Sequence, residues 1–88
     1  YNISPSAKAD LERIWLYGLE FWGVEAADNY YAAFFVHFGR IAEHPLLYPN
    51  SDIRKGYRRS MCGSDTVYYR IDGETVEIMT IIGRQNEK

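Results

Sequence analysis

Six cations stand out in the second half of the chain. Arg54, Lys55, Arg58 and Arg59 fall between Ile53 and Cys62 with no acid among them, and Arg70 and Arg84 follow. Guanidinium forks pair bidentately with phosphate or carboxylate, so such a cluster suits an anionic partner. The same residues equally suit a solvated edge strand, where charge discourages aggregation. The other reactive residue types are scattered. His37 lies beside an apolar stripe, and His44 falls at a helix C-terminus, where a cation is favoured; both read as structural. Cys62, next to Gly63, reads as a half-buried strand residue. Ser4, Ser6, Ser60 and Ser64 lack a nucleophile-elbow context. No spacing fits a metal site, and no cofactor is implied. Asp10 and Glu12 read as solubilising residues on a helix face. The eight tyrosines invite comparison with a base-stacking platform. However, Tyr30, Tyr31 and Tyr69 lie on faces expected to pack, so core tyrosines are the better reading.

Composition bounds what these residues can do. The chain has 88 residues, 47% hydrophobic and 25% charged, which reads as one domain over residues 1–88. A chain this size buries roughly 64% of its unfolded surface, enough for one modest core and too little for a deep cofactor cleft. Ten Lys and Arg against twelve Asp and Glu give a net charge of −2. A protein that lives on phosphate contacts is usually basic, so direct nucleic-acid binding is not expected. The first 43 residues carry three cations and six anions; the remainder carries seven and six. No stretch approaches the length of an apolar membrane span. A single cysteine cannot form an internal disulfide, and no signal peptide is evident, which fits a reducing cytoplasm.

These residues need elements to position them. Tyr1-Asn2-Ile3 reads as a short extended segment. Ser4-Pro5 reads as an N-cap followed by proline in the first helical turn. Ala7, Leu11, Ile14, Trp15, Gly18 and Trp22 then share one helical face, which should end near Gly23. Val24, Ala27, Tyr31, Phe34, Phe38 and Ile41 define a second helix. So short a joint predicts an antiparallel helical hairpin. Pro45, Pro49-Asn50-Ser51-Asp52 and Gly56 mark a loop over 44–56. Strands are predicted over 57–62, 66–71 and 76–82, with turns at Gly63-Ser64-Asp65 and Asp72-Gly73. In the last strand, alternation places Val76, Ile78, Thr80 and Ile82 on one face and Glu77, Met79 and Ile81 on the other. The fold class is therefore α+β, in the order β-α-α-β-β-β, with the hairpin on one face of a small antiparallel sheet. The opposite face, with Tyr68, Arg70 and Met79 joined by some of Tyr57, Arg59 and Met61, is more apolar than solvent requires. A partner would account for it, as would cover by the 44–56 loop.

Several segments together resemble a known family. They are Ala7-Lys8-Ala9-Asp10-Leu11 with Ile14-Trp15, Phe21-Trp22-Gly23, Ile41-Ala42-Glu43-His44-Pro45, Asp52 to Arg59, Val67-Tyr68-Tyr69-Arg70 and Gly83-Arg84-Gln85. In this order they resemble ParE, the toxin half of ParD–ParE toxin–antitoxin modules in the RelE/ParE superfamily. The resemblance implies a helical hairpin on a small sheet and a bacterial cytoplasmic toxin. It also implies neutralisation by a cognate ParD-like antitoxin, and poisoning of DNA gyrase rather than enzymatic catalysis. Charge placement then nominates Tyr57, Arg58, Arg59, Arg70 and Arg84 for target binding. An antitoxin segment, acidic or amphipathic, is expected to cover Phe35, Tyr68 and Met79. RelE-type relatives cut ribosome-bound mRNA and typically carry several basic residues and a tyrosine near the C-terminus. Here no tyrosine follows Ile82, and Lys55 is the sole lysine over 44–83, so the gyrase reading is preferred to the ribonuclease. Many ParE members end in a His-Gly-Arg-Gln-Asp-like run, where this chain has Ile82 and Asn86. That departure leaves a third reading, a module that binds antitoxin without toxicity.

Overall fold

The side chain of Ser4 accepts the Ala7 N–H at 3.0 Å, and Pro5 opens helix α1, Pro5–Trp22. Proline costs nothing there, because first-turn N–H groups have no intrahelical partner. Helix α2, Val24–Glu43, begins one residue later. Gly23 is the whole joint. Its φ of +94° lies where L side chains are strained, so glycine lets α1 end and α2 start within one residue. This computed structural model describes residues 1–83; Arg84 lies outside them. Strand β1 (Asn2–Ile3) precedes the helices, and β2 (Arg58–Cys62), β3 (Asp65–Asp72) and β4 (Thr75–Ile82) follow.

The strands form one sheet in the order β1-β4-β3-β2. The last three are antiparallel neighbours, as the sequence predicts. β1 adds to β4 in parallel, with Asn2 beside Glu77 and Ile3 beside Ile78, so the sheet as a whole is mixed. The second turn is displaced by one residue from its expected place. Asp72 pairs with Thr75, which makes Gly73-Glu74 the two-residue loop. Gly73 has φ +62° and no described non-glycine residue has a positive φ. That is the type II′ pattern, with glycine first. Gly63-Ser64 repeats it between Cys62 and Asp65.

A β-bulge corrects the expected facing of the last strand. Tyr68 opposes Thr80 while Tyr69 opposes Ile78, leaving Met79 as an extra residue on β4. One inserted residue reverses the alternation beyond it. Ile81 is therefore buried with Val76 and Ile78, and Ile82 is exposed. Helix α1 satisfies the displaced backbone. Asp10 Oδ2 accepts the Ile81 N–H at 2.9 Å and the Thr80 hydroxyl at 2.8 Å. Arg13 donates to Asp10 Oδ1 at 2.8 Å and to the Ile81 carbonyl at 3.2 Å. Ser4 Oγ donates to the Met79 carbonyl at 2.8 Å. Asp10 is thus the pin that joins helix to sheet. It is not the solubilising residue that its place in an amphipathic pattern suggested.

The core lies between the hairpin and one sheet face. Ala7, Leu11, Ile14, Phe34, Phe38 and Ile41 from the helices meet Cys62, Val67, Tyr69, Val76, Ile78 and Ile81 from the strands. Trp22 and Val24, expected on the buried stripes, are exposed, because the end of the hairpin extends past the sheet. The 44–56 loop is tied down by polar contacts. Tyr69 donates its phenol proton to the Pro45 carbonyl at 2.5 Å, and Arg58 Nη1 donates to the Tyr48 carbonyl at 2.6 Å. The loop continues along the outer edge of β2, where Pro49 accepts the Arg59 N–H at 3.1 Å and Asn50 bridges to Arg58.

Candidate functional site

Two apolar surfaces adjoin β1 and are left without cover. The first is a groove between the helices, lined by Ile3, Leu11, Trp15, Tyr31 and Phe35, with Lys8, Glu12 and Asp28 at its margins. Antiparallel packing sets its geometry. The Trp15 indole N–H donates to Asp28 Oδ1 at 2.8 Å, which holds the two helices in register across the groove. Phe35 stacks at an angle on Tyr31, 5.2 Å between centroids, and edge-on against Phe38 at 5.7 Å. These rings are half-buried, so the groove floor is fixed while its mouth stays open.

The second surface is the sheet face turned away from the helices. Strand register arranges it in rows: Met61, Thr66 and Ile82; then Arg59, Tyr68 and Thr80; then Arg70 and Glu77. Tyr68 is half-buried at the centre. Met79 joins it because the bulge turns two successive side chains outward. Ile53, Arg54 and Tyr57 stand across a depression from Ser4, Met79 and Thr80. The loop thereby walls this face without covering it. Ile3 belongs both to the helical groove and to a second depression shared with Arg70, Glu77 and Met79. The two surfaces therefore meet at β1.

The nominated cations have different surroundings. Arg70 Nε donates to Glu77 Oε1 at 2.6 Å across the strands. That bond raises the arginine's affinity for its proton and engages its Nε. Arg58 is committed to the Tyr48 carbonyl. The Arg54 guanidinium lies 5.8 Å from the centre of the Tyr57 ring, within cation–π range. Arg59 is exposed on the open face. β4 ends beside Thr66, about 13 Å along the strand from Arg70 at ~3.4 Å per residue. Of the residues nominated for an antitoxin, Phe35 lies in the groove and Tyr68 and Met79 on the sheet face. Trp15 and Tyr31, which read as core positions in the sequence, line the groove as well. The signal was the aromatic character of the stripe's flank, beyond what a buried seam needs.

His37, Cys62 and Tyr30 have structural surroundings. His37 Nε2 lies 2.7 Å from the Ser60 hydroxyl. Burial, helped by nearby Arg40, lowers its pKa from the ordinary histidine value. The Cys62 thiol is raised by burial and by the Asp65 carboxylate, which is the opposite of an activated nucleophile. The Tyr30 hydroxyl is 2.6 Å from Asp65 Oδ2 and accepts the Ser64 N–H at 3.1 Å. Among the described residues no group of His, Cys, Asp or Glu is placed to hold a metal ion, and no helix is long and apolar enough to cross a membrane.

A chain with this hairpin groove and open sheet face has relatives. The family described as "ParE toxin of type II toxin-antitoxin system, parDE" matches residues 1–87. The chain belongs to the ParE toxin family. It is 43% identical over 83 residues to Toxin ParE1 of Caulobacter vibrioides, covering 93% of this chain and 85% of that protein. It is 37% identical over 84 residues to Toxin ParE1 of Mycobacterium tuberculosis, covering 93% and 86%. In fold it matches a solved chain from the chromosomal ParDE system of P. aeruginosa, with a TM-score of 0.83 at 17% identity over 93% of this chain and 91% of that one. Within the ParE family, then, this chain keeps the α+β architecture read from its sequence.

Proposed function

We propose that this ParE-family chain poisons DNA gyrase by protein–protein contact and is held inactive by a ParD-like antitoxin that covers its two apolar surfaces. The observation that carries the antitoxin half is their junction. Groove and sheet face share Ile3, so one continuous segment can lie against Trp15, Tyr31 and Phe35 and cross β1 onto Met79 and Tyr68. An exposed apolar patch rimmed by polar residues marks a binding surface when it is contiguous. A segment that folds on contact wraps such a surface well. The target half rests on family membership and on the chemistry of the open face. Of the cations that could hold a phosphate there, Arg70 is paired through Nε with Glu77.

The test is a supercoiling and cleavage assay with purified gyrase, plasmid DNA and the purified chain, with and without antitoxin. The expected result is accumulation of cleaved DNA that antitoxin reverses. Cleaved mRNA in a translating extract, with gyrase unaffected, would instead assign the ribonuclease activity. No effect in either assay, and normal growth on induction, would leave an antitoxin-binding module without toxicity.

A further inference from the structure

Every residue from Leu19 to Ala26 is exposed, so the end of the hairpin stands clear of the sheet. That run carries large apolar side chains with much of their surface in water: Phe21 at 61%, Val24 at 58% and Trp22 at 49%. The cluster is preassembled. Tyr17 packs on Phe21 at 4.6 Å and on Trp22 at 5.8 Å, and Trp22 meets Tyr30 edge-on at 5.4 Å. Gly18 makes room for it, since a Cβ there would lie 3.0 Å from the Trp22 ring. An apolar surface held this way loses little freedom when it is covered.

Charge narrows what can cover it. Glu20 and Glu25 flank the aromatic tip, and no lysine or arginine stands between Arg13 and Arg40. A second copy meeting tip to tip would set acid against acid. An anionic bilayer or a nucleic-acid backbone would be repelled. Residues 84–88 hold no apolar side chain, so they offer nothing to bury there. The fitting occupant is a protein cleft, apolar at its floor and basic at its rim. The 20 residues of α2 span about 30 Å at ~1.5 Å per residue. The acidic tip and the basic 54–59 segment are therefore at opposite ends of the molecule and can engage separate parts of one large assembly.

We propose that the hairpin tip, with Phe21, Trp22 and Val24 at its centre and Glu20 and Glu25 at its rim, docks into an apolar, basic-rimmed cleft on the protein this toxin acts on. The proposal rests on the toxin reading. Two variants test it, Phe21→Ser/Val24→Ser and Glu20→Lys/Glu25→Lys, each compared with wild type for melting temperature, trapping of cleaved DNA by purified gyrase, and growth arrest on induction without antitoxin. Both should melt with the wild type, because these side chains lie outside the core. Both should need about 10-fold or more protein for the same effect, the scale of losing an aromatic anchor or its complementary charges. Unchanged potency of both variants overturns the proposal. Wild-type protein that arrests growth without trapping cleaved DNA overturns the gyrase reading, and the tip is then scored on growth arrest alone, where full arrest by both variants overturns it. Wild-type protein with neither effect overturns both. A wild-type dimer that Phe21→Ser/Val24→Ser dissociates in sedimentation would assign the tip to self-association and also overturn the proposal.

Discussion

Gly63 has a φ of +61°, and a Cβ built on it would lie 2.5 Å from Tyr30 Cε1 and 2.6 Å from the Tyr30 hydroxyl. The missing side chain lets the phenol sit on the β2–β3 turn and bond Asp65. Gly63→Ala should cost at least about 1–2 kcal/mol for the left-handed backbone alone, with displacement of Tyr30 added to it. Gly56→Ala is the control: its φ is +88° and nothing lies within 4 Å of the added carbon. Urea midpoints of the two variants should differ by the cost of moving Tyr30. Equal midpoints would show that the contact contributes nothing. His37 makes a second residue-scale prediction. Its pKa is lowered in the folded chain, so the unfolded chain binds the proton more readily. Stability is then full above the ordinary histidine value near 6.5 and is lost as pH falls below it. The melting temperature should drop between about pH 6.5 and 5, and His37→Gln should flatten that slope. A slope unchanged in the variant would assign it to the carboxylates.

At the scale of elements, the loop between α2 and β2 depends on Arg58 and Tyr69. Arg58→Ala frees the Tyr48 carbonyl and removes a charge-assisted hydrogen bond, a loss of about 1.5–3 kcal/mol. Limited proteolysis should then cut within 46–56 faster than in wild type. Arg59→Ala, on the open face, should leave stability within about 0.5 kcal/mol and change only what binds there. If both variants lose toxicity but only Arg58→Ala loses stability, Arg59 is the contact and Arg58 its scaffold. The elements themselves were legible. Ser4-Pro5, the 3–4 spacing of Ala27, Tyr31, Phe34 and Phe38, and the glycine turns are local signals, and local signals set helix starts and hairpins. The bulge at Met79 was not legible, because it exists only once Asp10 and Ser4, some seventy positions earlier, supply bonds to its backbone. The parallel pairing of β1 is long-range in the same way. For the candidate site, residue type showed which side chains were cationic. It could not show that Arg70 would meet Glu77 or Arg58 a carbonyl, because register decides both.

On the scale of the molecule, a small core leaves apolar regions uncovered: groove, open sheet face, hairpin tip, and Leu46 and Leu47 in the loop after α2. Purified alone, the chain should bind a hydrophobic dye and associate through its groove and sheet face as its concentration rises. Co-expression with a ParD-like antitoxin should abolish the association and leave only the dye bound at the hairpin tip. A chain that stays monomeric and dye-negative by itself would count against the antitoxin surfaces. The sheet order has a further consequence, for the timing of synthesis. β4 lies between β1 and β3, so the strand that gathers the sheet is the last of the described strands. When α2 has left the ribosome, about 40 residues still separate it from the end of β4. At ~5–20 residues per second that interval lasts roughly 2–8 s. Throughout it the nascent chain is an amphipathic hairpin with no sheet to fold onto. The folded shape is completed only when β4 emerges, so a partner already present would meet the bare hairpin before the sheet does.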